Sequence, residues 1–304
     1  MSFKRILTIT AAVAVVGVAL SGCATADPTA APTATSAGPA IVIGSQAFSE
    51  NEIIGEIYAQ ALEAGGYTVE RKFNIGSREV YIPAIESGEV SLLPEYTGGL
   101  LQYFDTATTA KSAADIYAAL PALLTPSGLS VLDQSTASDE DSYNVTKEFS
   151  DANNVKSLAD LSALTIPLTV GGNSEMQTRP YGPDGLLSVY GVKVSFTAIE
   201  DYGGPLTVKA LNDGAVQLAD LYTSDPAITK NNFVTLTDPQ NLMVANNVVA
   251  LINTKVFPAD ATGIINAVNA KLTTAGLVQI NTESAAGDSP ATIAAKWLKE
   301  NLIG

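Results

Sequence analysis

The chain alternates between the apolar spacing typical of strands and that typical of helices. A continuous apolar run at 40–44 (AIVIG) predicts a buried strand. Ser49, with Glu52 three residues later, fits a capping box and predicts a helix that ends at Gly65-Gly66. The predicted apolar face of that helix consists of Ile53, Ile57, Ala61 and Leu62.

The alternation continues to the end of the chain. Strands are predicted at 67–73, 89–93, 142–149, 164–170, 192–198, 215–221 and 234–236. Helices are predicted at 78–87 and near Leu158, Leu186, Leu206, Ile264 and Ile293. Strands that alternate with helices predict an α/β fold with largely parallel sheets. Two such blocks, joined in mid-chain, predict two lobes with a ligand cleft between them.

The first 23 residues have the order of a secretory signal. Lys4 and Arg5 precede an uncharged, mostly apolar stretch from Ile6 to Leu20. This stretch is shorter than the roughly 18 to 20 residues that cross a bilayer, which disfavours a transmembrane anchor. The ending Leu20-Ser21-Gly22-Cys23 resembles the bacterial lipobox, so a signal peptide at 1–22 and acylation of Cys23 are predicted. The alternative is an ordinary signal peptide with an incidental Cys. A linker of Ala, Thr and Pro follows to residue 39 and is predicted to be disordered.

Composition narrows the function classes. The chain has one Cys and no His, so no internal disulfide, Cys-based metal cluster or His-dependent triad can form. We therefore predict no metal, no cofactor and no enzymatic activity. Without the signal peptide, the chain has 14 of its 16 basic residues and all 31 acidic ones, which gives a net charge near −17. So acidic a chain disfavours binding to nucleic acid or to anionic lipid, which leaves the lipid chain as the membrane contact.

Five segments, in order along the chain, resemble the substrate-binding proteins of glycine betaine/choline/carnitine importers, the osmoprotectant-uptake family. The segments are 44–50 (GSQAFSE), 76–89 (GSREVYIPAIESGE), 94–98 (PEYTG), 179–191 (Arg179, then PDGL and YG) and 220–225 (DLYTSD). Each segment alone is a weak signal, whereas the ordered set from residue 41 to the C-terminus is specific.

The resemblance implies a fold, a function and a set of partners. The fold would be the two-lobed type II periplasmic-binding-protein fold, with lobe 1 at 40–138 plus 240–304 and lobe 2 at 139–239. The protein would be a monomer, exported and anchored by lipid to the outer face of the cytoplasmic membrane. It would capture a quaternary-ammonium compound and deliver it to the membrane permease of an ABC importer.

Tyrosines at family positions imply an aromatic box for the ligand. A quaternary ammonium has no N–H to donate, so aromatic faces attract it instead. The resemblance assigns this role to Tyr96, Tyr143 and Tyr222, and Asp141 would add a negative charge or fix a ring. Each tyrosine taken alone fits equally a half-buried ring whose hydroxyl has a local partner.

Departures from the family pattern affect the ligand's identity. No aromatic residue stands at 240–247, where many relatives have a fourth tyrosine, and Met243 is a candidate wall in its place. Relatives hold a betaine carboxylate with a Lys, an Arg and a hydroxyl. This chain has Gln46 for the Lys and Gly99 for the hydroxyl, which leaves Arg179. Such a weakened clamp favours choline or a different betaine-bearing solute. Ser45 and Thr97 complete the predicted site.

Two alternatives stay open from the sequence. The same fold could bind another solute, such as an amino acid or a thiol betaine. A secreted hydrolase that uses paired carboxylates, for example Glu95 with Asp141, is the other alternative.

Overall fold

The computed structural model describes residues 38–302. The predicted signal peptide, Cys23 and most of the predicted linker lie outside the described residues. Within residues 38–302, no helix is both long enough and apolar enough to span a membrane.

Two five-stranded sheets form the framework. The first has the order β2-β1-β3-β10-β4, and its strands are β1 (Ile41–Gln46), β2 (Val69–Gly76), β3 (Leu92–Tyr96), β4 (Leu129–Val131) and β10 (Val248–Asn253). The second has the order β7-β6-β8-β5-β9, and its strands are β5 (Asp141–Val145), β6 (Thr169–Gly172), β7 (Ser195–Ala198), β8 (Leu218–Tyr222) and β9 (Val234–Thr235). We call each sheet with the helices around it a lobe.

Each sheet is mixed: four strands run in one direction, and the strand in the fourth position runs in the other. In the first sheet β10 runs antiparallel to β3 and β4, and in the second β5 runs antiparallel to β8 and β9. The other strand pairs are parallel. In both lobes the reversed strand is the one by which the chain enters from the other lobe. The predicted α/β class with largely parallel sheets is confirmed.

Helices connect the strands and surround the sheets. They are α1 (Ser49–Ala64), α2 (Arg78–Glu86), α3 (Thr97–Phe104), α4 (Ala113–Leu124), α5 (Lys147–Asn153), α6 (Pro183–Gly185), α7 (Pro205–Asn212), α8 (Pro226–Lys230), α9 (Thr262–Asn269), α10 (Thr274–Ala285) and α11 (Pro290–Asn301). The predicted apolar face of α1 is buried and belongs to the core of the first lobe, together with Trp297 from α11. Burial of this face supplies most of the stability of such a helix.

Some predicted boundaries were wrong. Ser49 is not the cap of α1: the cap residue is Phe48, with an extended backbone and no side-chain capping bond. Glu52 instead accepts a hydrogen bond from Asn74. The strand predicted at 142–149 ends at Val145, because Thr146 caps α5 through its hydroxyl. The region predicted as a strand at 164–170 becomes strand only at Thr169.

Two adjacent chain segments join the lobes, one after β4 and one after β9. Ser138 and Asn247 form an isolated bridge, and the Asp139 amide donates to the Asn246 carbonyl at 3.1 Å. The Asn246 side chain donates in turn to the Asp139 carbonyl at 2.7 Å. This pairing places Asp139 and Asn246 at the junction between the lobes. The lobe limits at 138/139 and 239/240 stay a prediction.

Candidate functional site

A cavity lies at the junction of the two lobes, where strand ends from both sheets meet. Its lining combines aromatic rings, two arginines, three acids and two amides: Gln46, Phe48, Arg78, Tyr96, Asp139, Asp141, Glu175, Arg179, Tyr181, Tyr202, Tyr222 and Asn246. Of the residues predicted as ligand-binding, five line this cavity: Gln46, Tyr96, Asp141, Arg179 and Tyr222.

Phe48 is at the centre of a four-ring cluster in the cavity wall. Its ring centroid lies 6.0 Å from that of Tyr96 and 5.5 Å from that of Tyr222, both in stacked arrangements. The Tyr202 ring is 5.8 Å away and tilted. Phe48 and Tyr96 come from the first lobe and the other two from the second, so the cluster spans the lobe junction. Such separations are those of favourable ring pairs.

Strand ends explain the position of most of these rings. Tyr96 is the last residue of β3 and Tyr222 the last of β8. Phe48 immediately precedes α1. Tyr202 stands in the loop after β7 with a positive φ of 52°, a conformation uncommon outside glycine, and its amide donates to the Asn173 side chain at 2.6 Å.

The register of β5 and β8 separates Tyr143 from the cavity. Asp141 lies opposite Tyr222, and Tyr143 lies opposite Asp220, on the same face of the sheet but two residues further in. Tyr143 is fully buried in the second-lobe core, and its hydroxyl donates to the Tyr181 carbonyl at 2.7 Å. Tyr143 therefore supports the segment that carries Tyr181 and does not line the cavity.

Three other residues of the predicted site also lie off the cavity lining. Ser45 is buried and accepts a hydrogen bond from the Asn74 amide at 2.8 Å, and the Thr97 hydroxyl accepts from the Asn247 amide at 3.1 Å. Met243 packs against the second-lobe core and lines a separate cavity, which Tyr143 and Asp141 also line. Their geometry supports structural roles for these residues.

Glu95 organises the first-lobe side of the site. It is fully buried and accepts five hydrogen bonds. Arg78 supplies two of them as a bidentate pair, at 2.9 and 2.8 Å, and the others come from Gln46, from the Tyr81 hydroxyl and from the Tyr96 amide. Charge-assisted bidentate pairs are among the strongest hydrogen bonds in proteins. A carboxylate so engaged is unavailable as the general acid or base that a hydrolase would need.

Glu50 holds the Tyr96 ring through a hydrogen bond from the tyrosine hydroxyl. It is buried and accepts hydrogen bonds from the Tyr96 hydroxyl at 2.6 Å, from Ser224 at 2.7 Å and from Asn281 at 2.5 Å. Burial raises the pKa of Glu50, and these hydrogen bonds partly offset the effect. Burial and the nearby Glu50 also raise the pKa of Asp139 well above its ordinary value.

Asp141 and Asp220 form a carboxyl pair on the second-lobe side, in which Asp220 is buried and Asp141 is half-buried. Burial, then the proximity of Asp141, raise the pKa of Asp220 well above its ordinary value. Burial likewise raises the pKa of Asp141, although Arg78 and Tyr181 favour its ionised form. Oδ1 of Asp220 is buried and has no hydrogen-bond partner within the described part of the chain. Among residues 38–302, no basic residue of the second lobe lies within 4 Å of these carboxyl groups to stabilise their ionised forms.

Arg179 links the two lobes across the mouth of the cavity. Its Nη2 lies 2.9 Å from Oε1 of Glu79, in the first turn of α2, and the Arg179 side chain is 13% exposed whereas that of Glu79 is 49% exposed. The pair is partly open to solvent, so its net contribution to stability is small.

Seven lining residues were missed from the sequence: Phe48, Arg78, Asp139, Glu175, Tyr181, Tyr202 and Asn246. Phe48 and Arg78 stand inside the segments that carry the family resemblance, so the signal was present. Tyr202 and Asn246 lie in loops that no periodic pattern marks. Among residues 38–302, no group of three or more His, Cys, Asp or Glu side chains could hold a metal ion.

The fold and the interlobe cavity define a class of protein. A solved structure of apo YehZ from Escherichia coli is 25% identical and has a TM-score of 0.63, over 88% of this chain and 100% of that one. A glycine betaine/carnitine/choline ABC transporter structure has a TM-score of 0.65 at 20% identity, over 86% and 98% of the two chains. Lactococcal OpuAC, closed on glycine betaine, has a TM-score of 0.62 at 13% identity, over 86% and 96%. The fold is that of type II periplasmic binding proteins.

Sequence comparison then places the chain in a family. The family model OpuAC, substrate binding domain of ABC-type glycine betaine transport system, matches residues 39–300, and the chain belongs to this family. The glycine betaine-binding protein YehZ of Escherichia coli K12 is 27% identical over 216 residues, which are 66% of this chain and 70% of that protein. The predicted family is confirmed: the chain belongs to a family of solute-binding domains of ABC transport systems.

Proposed function

We propose that this protein captures a quaternary-ammonium compound among Phe48, Tyr96, Tyr202 and Tyr222 and delivers it to the permease of its ABC importer. The observation that carries the proposal is the four-ring cluster, which is built from both lobes around one cavity. A ligand that contacts rings of both lobes favours their closed arrangement, because only that arrangement offers all the contacts.

The electrostatics of the cavity support a cationic group in the ligand. Each ring face that meets a desolvated ammonium contributes on the order of 2 kcal/mol. Burial raises the pKa of the Tyr222 hydroxyl well above its ordinary value, so the ring stays neutral at physiological pH. Asp141 and Asp139 add two carboxyl groups to the same lining, and a cationic ligand favours their ionised forms. Positive charge on a ligand therefore offsets their unfavourable burial.

Calorimetric titration with choline, glycine betaine and carnitine tests the proposal. We expect at least one of them to bind, and we expect Tyr222→Leu, which keeps the apolar bulk but removes the ring, to weaken binding about tenfold. Tyr117→Leu is the matched control, because Tyr117 lies on α4 and donates to the Leu132 carbonyl outside the cavity. Lack of binding by all three solutes, or equal effects of the two substitutions, would contradict the aromatic site.

Cys23 carries a second part of the proposal. Acylation there would hold the protein at the outer face of the membrane beside its permease, through the Ala-, Thr- and Pro-rich segment that follows. Metabolic labelling with an alkyne fatty acid should mark the wild type and not Cys23→Ser, and Cys23→Ser should appear in the soluble extracytoplasmic fraction. A labelled Cys23→Ser protein would refute the assignment.

An N–H-bearing solute such as an amino acid is the second candidate, and the acids in the cavity lining favour it. A protonated amine could donate hydrogen bonds to Asp141. A quaternary ammonium cannot, because it has no N–H group. Titration with proline and dimethylglycine beside glycine betaine distinguishes the two: affinity that rises as methyl groups are removed from nitrogen supports the amino acid.

A further inference from the structure

Arg78 presents a buried guanidinium to the cavity in a fixed orientation. The side chain is 13% exposed and stands at the first position of α2, where it pairs with the fully buried Glu95 through Nε and Nη2. Its Nη1 makes no hydrogen bond to any residue between 38 and 302. A guanidinium has five N–H groups in a rigid fork, so the pair with Glu95 leaves donors for a second partner.

Gly99 is the position that makes room for this guanidinium. A Cβ built on Gly99 would lie 2.5 Å from Nη2 and 2.7 Å from Cζ of Arg78, closer than real contacts allow. Gly99 has no positive φ to require glycine, so the guanidinium is the reason for its small size. The place where relatives have a hydroxyl is filled in this chain by Arg78.

Gln46 completes the same cluster. It lines the cavity, and its Nε2 donates to Oε1 of Glu95 at 3.1 Å, the oxygen that also accepts from Nη2 of Arg78. A lysine at this position would bring a second cation against Arg78, whereas a glutamine helps to fix the carboxylate that holds it. The changes at positions 46 and 99 are therefore coupled to Arg78.

From this cluster we infer that Arg78 determines specificity: with Arg179 from the other lobe, it holds a carboxylate of the ligand. The ligand class is then a zwitterionic betaine, and choline is the poorer ligand. This inference rests on the proposed function. Two arginines on one cavity suit a planar carboxylate, while Asp139 and Asp141 supply the opposite sign for the ammonium group. The sequence indicated a weakened carboxylate clamp. In this inference Arg78 supplies the cation that the clamp lacked.

A matched ligand pair tests the inference. Glycine betaine and choline share a trimethylammonium group and differ in carboxylate against hydroxyl. We expect the wild type to prefer glycine betaine. Gly99→Ala, which displaces the guanidinium without removing any charge, should weaken glycine betaine binding about 10- to 100-fold and change choline binding by less than about threefold.

A second variant tests the same role without leaving an unpaired buried charge that could cause misfolding. Arg78→Met with Glu95→Gln removes both charges of the pair, so that no unpaired charge stays buried. The ratio of the two affinities should shift as in Gly99→Ala. The control is Arg71→Met with Glu56→Gln, an Arg–Glu pair of the same lobe outside the cavity, which should leave the ratio unchanged.

The outcomes distinguish a failure of the role of Arg78 from a failure of the proposed function. Equal losses for both ligands, or a wild type that prefers choline, would overturn the role of Arg78 but keep the aromatic site. Absence of binding by both ligands would overturn the proposed function and this inference with it. A changed ratio in the Arg71 control would assign the effect to general instability, against the inference.

Discussion

The acidic residues on the first-lobe wall of the cavity and those on the second-lobe wall differ in how many hydrogen-bond and ion-pair partners they have. On the first-lobe wall, Glu95 accepts five hydrogen bonds and is paired with Arg78, and Glu50 accepts three. On the second-lobe wall, Asp141 and Asp220 lie together without an ion-pair partner within residues 38–302, and Oδ1 of Asp220 accepts no hydrogen bond there. The first wall is thus set before a ligand arrives, and the second gains most from an added positive charge.

This difference suggests a division of labour. Preorganised groups lose little freedom when a ligand binds, so the first wall can fix the orientation of the ligand at low cost in entropy. The second wall buries carboxyl groups whose ionised forms a bound cation would stabilise, and this interaction would favour the closed arrangement of the lobes. The following predictions test whether the walls differ as described.

The largest expected effect concerns Glu95. Glu95→Ala removes the partner of Arg78 and Tyr81 and leaves a buried guanidinium unpaired, which should lower the free energy of unfolding by about 3 to 5 kcal/mol. Urea denaturation measures it. Glu63→Ala, which breaks the partly exposed contact of Glu63 with Arg71, should cost less than about 1 kcal/mol. If the two variants lose the same stability, the first wall is not the preorganised one.

Phe48 tests whether the rings of the two walls act as one surface. Phe48→Ala removes the ring that contacts Tyr96, Tyr202 and Tyr222, so affinity for a bound quaternary ammonium should fall about 10- to 100-fold. Phe104→Ala is the control, because Phe104 packs edge-on against Tyr103 outside the cavity. Titration calorimetry measures both, and an unchanged affinity in Phe48→Ala would remove this residue from the site.

The sequence predicted the parts of the fold that repeat. The apolar spacing of α1, the alternation of strands and helices and the ordered motifs sufficed for the fold and the family. The reversed strand β10 was not predicted, although all six of its residues are buried. An apolar run this short does not reveal that the chain returns from another lobe, since strand neighbours are set by tertiary packing.

The site was less accessible to sequence reasoning, for a geometric reason. Tyr143 and Tyr222 look equivalent as tyrosines at strand positions, yet the register of β5 and β8 places one in the core and the other in the cavity. Arg78 was not predicted because its position in the site depends on contacts with Gly99 and Glu95, which are remote in sequence and adjacent in space. Pairings of this kind follow from the packed structure and not from spacing along the chain.

The buried carboxyl group of Asp220 on the second-lobe side should make stability depend on pH. The pKa of Asp220 is raised above 3.8 by burial and then by Asp141 and Glu175, so the folded protein holds this proton more tightly than the unfolded chain. The contribution of Asp220 to the free energy of unfolding should therefore fall as pH rises from 3.8 through its folded pKa, by at most about 1.4 kcal/mol per pH unit. Asp220→Asn should flatten this fall and stabilise the protein at neutral pH.

A group of opposite sign provides the control for that measurement. Hydrogen bonds from Lys156 and Ser157 lower the pKa of the exposed Asp160, so its contribution is lost as pH falls and not as it rises. Asp160→Asn should leave the fall above pH 3.8 in place. Urea denaturation across the pH range compares the three proteins. A wild-type stability that increases steadily over this range would contradict the unpaired state of the second wall.

The smallest expected effect concerns Glu79, whose ion pair with Arg179 connects the two walls. Because the Glu79 side chain is 49% exposed, Glu79→Gln should change the free energy of unfolding by less than about 1 kcal/mol. The same substitution removes a carboxylate that competes with the ligand for Arg179, so affinity for glycine betaine should rise about two- to threefold and that for choline should not. Titration at low and high salt measures this, since the gain should shrink as salt screens the competing pair. A loss of affinity for both ligands would mean instead that the ion pair acts by holding the lobes together, and Arg179 would then belong to closure rather than to recognition.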